Sequence, residues 1–213
     1  MDILLKIFIA VVCAVGGAIG GGRWIDNLYP AKKQILSFPA KIYAQAQTRR
    51  RYLPAALGML FAFYLLSHEL PVTSYAFHLL YIYFLVLFTV TDCEQQVIFD
   101  VMLIPFALLG LIFCLADGLP LVHHLTAALG GGLLFLLLAV LTRGGVGGGD
   151  IKLIAGLGLW LGVNSLLHVV VCGLIAGGLG ALFLLIVEHK KRTDTFAYGP
   201  FFTLAALLQL YLG

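Results

Sequence analysis

The chain has 213 residues, of which 62% are hydrophobic and only 11% charged, with a mean hydropathy of +1.04 and a formal charge of +3. A soluble domain carries about 25% charged residues, so this chain lacks the polar side chains to cover a water-facing surface, and a soluble enzyme or nucleic-acid-binding domain is excluded. Its apolar runs are long and do not alternate, which predicts an all-α, polytopic integral membrane helical bundle of about eight transmembrane helices.

The first predicted span covers 3–21. Only Lys6 lies before or within its start, while Arg23, Lys32, Lys33 and Lys41 follow it, the reverse of a secretory signal. It is therefore expected to be a permanent span with its C-terminal end inside. Residues 22–52 follow, with Pro30, Pro39 and the basic run "TRRRYLP". The stretch is too short for a core of its own and reads as a basic, partly amphipathic segment on the anionic inner leaflet. The expected organisation is 1–52 as first helix plus cytoplasmic segment, and 53–213 as one membrane-embedded domain.

Further spans are predicted at 53–68, 72–91, 98–116, 121–142, 150–164, 166–187 and 197–212. The inside loops are then 22–52, 92–97, 143–149 and 188–196. With their flanks they hold every Lys and Arg except Lys6, including Arg143, Lys152, Lys190, Lys191 and Arg192. That bias places both termini outside. Cys13, Cys93, Cys114 and Cys172 form no C-x-x-C pair, so neither a zinc site nor a disulfide framework is expected, and the thiols read as buried and inert.

Acids are few. Asp2, Glu69 and Asp117 fall at outer edges and Asp26, Glu188 and Asp194 in inner loops, all expected to be solvated, as is Glu94. Asp92, Asp100 and Asp150 lie where apolar spans meet the inner surface, and a carboxylate there is a functional candidate. Asp92 ends one span; Asp150 begins another after "GGVGGG"; two complete spans separate them, so both belong to the inner face. Two such carboxylates cannot both ionise easily, an arrangement suited to aspartic-protease chemistry. Gly147, Gly148 and Gly149 would then admit a substrate backbone and unusual φ/ψ angles. A plain glycine turn with Asp150 as helix cap and Asp92 as a solvated helix end explains the same residues without chemistry. Asp100 either caps its helix or supports the site, and Lys152 either attracts a carboxylate or anchors its helix among headgroups.

Three blocks resemble the type IV prepilin peptidase family, membrane aspartic proteases of the GxGD kind: "TDCEQQVIFD" at 91–100, "GGGDIKLIAGLGLWLG" at 147–162 and "FAYGPFFTLAA" at 196–206. With the span pattern, the resemblance covers about 53–213. It implies Asp92 and Asp150 as the catalytic pair, with Gly147 and Gly149 as the motif glycines. Asp100, Lys152, Gly199 and Pro200 become substrate-binding or site-shaping residues. It further implies a bacterial inner-membrane endopeptidase that cleaves the short basic leader of prepilin or pseudopilin substrates after a glycine, at the cytoplasmic face. Partners are the substrate helix and the lipid bilayer, and no nucleic acid.

The chain departs from the family pattern at Phe99 and Ala197, each where proline is usual, and in 22–52, which has no cysteine where many relatives carry two C-x-x-C pairs. It thus resembles a short form without the cysteine-rich motif. No metal is expected and no cofactor for proteolysis; S-adenosylmethionine enters only if N-methylation of the new terminus is retained. An ion-coupled transporter using the same acids, or a non-catalytic assembly partner, are the rival readings. Gly16-x-x-x-Gly20 and Gly173-x-x-x-Gly177 suggest close helix packing. His123 and His124 are expected near an outer interface, and His68, His78 and His168 stand singly.

Overall fold

The computed structural model describes residues 2–143, 145–187 and 197–212, with the side chains of 184–187 left aside. Gly144, Glu188, Lys190, Lys191, Arg192, Asp194 and Phe196, all named above, lie outside the described residues. Every regular element is helical: α1 Ile3–Ala31, α2 Ile42–Ser67, α3 Val72–Gln95, α4 Asp100–Ala116, α5 Leu121–Leu141, α6 Gly148–Val187 and α7 Gly199–Leu212, with short 3₁₀ turns at Lys33–Ile35 and Pro39–Lys41. α1, α3, α5 and the Gly148–Phe183 stretch of α6 are long and apolar enough to cross a membrane, and α4 and α7 are shorter apolar helices. The protein is thus an all-α, multi-pass membrane protein. The chain divides into two compact units, Met1–Val97 and Ile98–Gly213.

In the first unit, α1 runs 29 residues, about 43 Å at 1.5 Å per residue, well beyond a ~30 Å hydrocarbon core. The expected 22–52 surface segment is therefore mostly helix: 22–31 continue α1, 42–52 begin α2, and only about ten residues connect them. Polar side chains meeting one another carry these extensions where apolar content does not. Lys6, the single basic residue on the outer side of the predicted topology, is 2% exposed, and its Nζ donates to Glu69 at 2.7 Å and to the His68 carbonyl at 3.0 Å. Gly17 and Gly21 face Tyr83 and Leu87 of α3, while Gly16 and Gly20 meet nothing within 4 Å. Close packing is present, one residue out of the predicted register.

In the second unit, α6 is broken at Gly162, whose φ of 71° and ψ of −179° are open to glycine almost alone. His123 and His124, at the start of α5, hold the break: the Val163 N–H donates to His123 Nδ1 at 3.4 Å, and His124 Nδ1 lies 2.8 Å from the Leu159 carbonyl. Further along α5, Gly131 meets both Ile154 and Leu166, one from each arm of α6. Both arms therefore meet α5, and counting them separately the described residues form eight helical runs. Gly158 lets the α5 backbone come close, since a Cβ there would stand 2.5 Å from the Ala128 nitrogen. Trp160 fills the core against Phe106 and Phe113 and donates to the Phe106 carbonyl at 2.9 Å. Gly173 and Gly177 seat Phe202 and Tyr198, so this predicted small-residue pair does pack a helix closely.

The thiols differ from expectation. Cys114 is buried, whereas Cys13, Cys93 and Cys172 are exposed. On a membrane helix the lipid-facing surface is as apolar as the core, so an apolar residue type does not report burial.

Candidate active site

Asp92 occupies the last turn of α3 and is buried, 6% exposed. That helix ends at Gln95, and Gln96 takes the left-handed conformation (φ 54°, ψ 39°) with its N–H donating to the Asp92 carbonyl at 2.8 Å. The free carbonyls of a helix end need donors, and the α1–α2 connection supplies them. Ser37 N–H donates to the Gln95 carbonyl at 3.2 Å, and Gln45 Nε2 to the Glu94 carbonyl at 2.6 Å. The Gln95 side chain accepts from Phe38 N–H at 2.8 Å and donates to the Phe38 carbonyl at 3.0 Å and to Gln45 Oε1 at 2.6 Å.

Next to this cap is a charged cluster that sequence reasoning missed. Arg49, 1% exposed, pairs with both Asp26 of α1 and Glu94 of α3. Tyr29 Oη donates to Glu94 at 2.8 Å, and the Arg49 guanidinium lies over the Tyr29 ring at 5.4 Å. Arg50 closes on Asp26 from the exposed side at 2.9 Å. Glu94 and Asp26, both expected to be solvated, are instead partners of one buried arginine.

In the second unit, Asp150 is the third residue of α6 and half-buried, its N–H donating to the Gly147 carbonyl at 3.1 Å. It is a first-turn acid rather than the cap, a position that the positive end of the helix favours. Gly147, Gly148 and Gly149 do not adopt positive φ; among described glycines only Gly118 and Gly162 do. They supply space instead of unusual backbone. A Cβ at Gly147 would stand 3.3 Å from Asp150 Oδ2, and one at Gly149 would stand 3.2 Å from Ile98 Cβ.

Lys152 Nζ donates to both carboxylate oxygens of Asp100, at 2.7 and 2.9 Å, each residue more than half exposed. Lys152 thus does meet a carboxylate, that of Asp100, in a surface pair of the kind worth about 0–1 kcal/mol. Gly199 and Pro200 open α7, where a proline costs no helical hydrogen bond, and Thr203 Oγ1 returns to both of their carbonyls at 3.2 and 3.0 Å. The packing around this helix start is with the second arm of α6. Among the described residues no group of three His, Cys, Asp or Glu is placed to hold a metal ion.

The architecture is that of a helical membrane protein with buried acids at helix ends. Comparison with known proteins narrows the class. Residues 79–184 match the type IV leader peptidase family. A prepilin leader peptidase/N-methyltransferase of Neisseria gonorrhoeae is 37% identical over 128 residues, covering 57% of this chain and 43% of that protein. The protein of the same name from Escherichia coli K12 is 28% identical over 185 residues, covering 84% and 80%. A "type 4 prepilin-like proteins leader peptide-processing enzyme" of Escherichia coli O78:H11 is 31% identical over 176 residues, covering 79% and 64%. No solved structure gives a significant match. The chain belongs to the type IV leader peptidase family, and it spans less than half the length of several curated relatives it matches, 43% and 48% for two of them.

Proposed function

We propose that this chain is a membrane aspartic endopeptidase that removes the short basic leader of prepilin-like or pseudopilin substrates after a glycine. It acts at the cytoplasmic face of a bacterial inner membrane, with both termini outside. One observation carries the reading: the family match runs from 79 to 184 and so takes in both Asp92 and Asp150. In the proposed chemistry, one carboxylate of the pair is ionised and takes a proton from water as its oxygen attacks the scissile carbonyl carbon. The other is protonated and donates to the carbonyl oxygen; collapse of the tetrahedral intermediate returns a proton to the leaving nitrogen. Gly147 keeps the face of Asp150 clear of a side chain, Asp100 and Lys152 hold α4 to α6, and Gly199 and Pro200 set the start of α7.

Proteolysis of this kind uses no cofactor. Methyl transfer, which the names of relatives include, would require S-adenosylmethionine. No methyl-transfer step is assigned to this chain.

The test is mass spectrometry of products after incubating the reconstituted full chain with a prepilin-like substrate. A single cut directly after the leader glycine is expected, lost when that glycine is replaced by tryptophan. An intact substrate, together with a proton or cation flux that depends on Asp92, would favour the transporter reading and overturn this one.

A further inference from the structure

Between 18–26 of α1 and 49–54 of α2 lies a cavity of about 380 Å³, within the range of small-molecule sites. Its wall changes character along the helices. Ile19 and Leu53 line it on the membrane side, and about one turn further toward the connection Arg23, Arg49 and Arg50 replace them, with Asp26 as the single acid in the wall. Two observations separate this place from an ordinary basic surface. Arg49 is 1% exposed, and its Nε–H is buried without a hydrogen-bond partner although both terminal nitrogens are engaged. A buried donor left unmet costs about 1–3 kcal/mol or more for a charged group. Arg23 is exposed and makes no ion pair among the described residues. Counting Glu94 on the far side of Arg49, three guanidiniums face two carboxylates, which leaves one positive charge unbalanced.

We propose that this cavity is an anionic phospholipid site. The phosphodiester is held by Arg23 and Arg50 beside the buried Arg49, and the glycerol backbone and first methylenes lie along Ile19 and Leu53. Guanidinium groups match phosphate oxygens in geometry as well as charge, and basic pockets between membrane helices suit lipid headgroups. The apolar part of the wall selects a lipid over a free anion: Ile19 is half exposed on a helix whose outward face is apolar throughout its membrane length. Gly22 keeps the cavity open, since a Cβ there would meet nothing within 4 Å. The site is independent of the peptidase reading.

Native mass spectrometry of the full chain in neutral detergent, titrated with phosphatidylglycerol, tests this directly. Wild type should retain one lipid per chain. R23Q/R50Q, which alters only exposed side chains, should bind about tenfold or more weakly. G22L, which fills the cavity without touching a charge, should do the same. K32Q/K33Q, which removes two positive charges outside the cavity, should bind as wild type. Phosphatidylcholine should bind clearly less well, and millimolar inorganic phosphate should not displace the lipid. Wild-type retention by either G22L or R23Q/R50Q overturns the proposal, as does binding of phosphatidylcholine equal to that of phosphatidylglycerol. Displacement by inorganic phosphate would make this a free-anion site and overturn the lipid assignment.

Discussion

Arg49 joins three helices through one side chain: Asp26 on α1, Glu94 on α3, and its own backbone on α2. Removing the cation leaves Glu94 without its ion pair in a poorly solvated place, while Asp26 keeps Arg50, a change that typically costs about 3–5 kcal/mol. Arg49→Met should therefore lower unfolding stability by about that amount in a denaturant titration, whereas Arg50→Gln, at an exposed pair, should cost less than about 1 kcal/mol. Equal, small effects would show that the cluster is not buried as described. The helix-end positions of Asp92 and Asp150 were legible in the sequence because an acid at the edge of an apolar run stands out. The partners of Glu94 were not, because an arginine three residues from the next apolar run looks the same whether it faces water or an acid.

At the scale of helices, each apolar run falls on a helix among the described residues, yet the window that finds them cannot see a helix continued by ion pairs. Residues 22–31 and 42–52 are helical because Asp26, Tyr29, Gln45 and Arg49 satisfy partners within the first unit. Glycine spacing was legible in kind but not in register: Gly173 and Gly177 pack, while α1 packs through Gly17 and Gly21 rather than Gly16 and Gly20. A four-residue spacing alone does not say which face meets a neighbour. Gly158→Ala should destabilise by roughly 1–3 kcal/mol, because its Cβ would meet α5 backbone that cannot rotate away. Gly20→Ala, with open space beside it, should be neutral or mildly stabilising. Thermal unfolding of the two variants in one detergent separates them, and similar shifts for both would contradict the packing.

For the molecule as a whole, charge asymmetry gives the expected topology, in which Lys6 is the one exception. Its burial against Glu69 supplies the reason, since a basic residue paired to an acid carries little net charge. The hydrogen bond from Lys6, reinforced by its charge, holds the Glu69 carboxyl below the usual carboxylate range. A group with a lowered folded pKa contributes stability that is present above the ordinary glutamate pKa of about 4.3 and lost as pH falls through the folded value. The stability difference between wild type and Glu69→Gln should thus be present at neutral pH and vanish below that range; a difference that grew on acidification would contradict the pairing.

The family match and the two helix-end acids lead to one central claim, that Asp92 and Asp150 together cut a peptide bond. The decisive measurement is cleavage of a prepilin-like substrate by the purified full chain, compared with Asp92→Asn and Asp150→Asn at matched folding and membrane insertion. Loss of cleavage by about a thousandfold or more in each single variant is expected when either member of an acid pair is removed. Full cleavage by either variant would contradict the assignment.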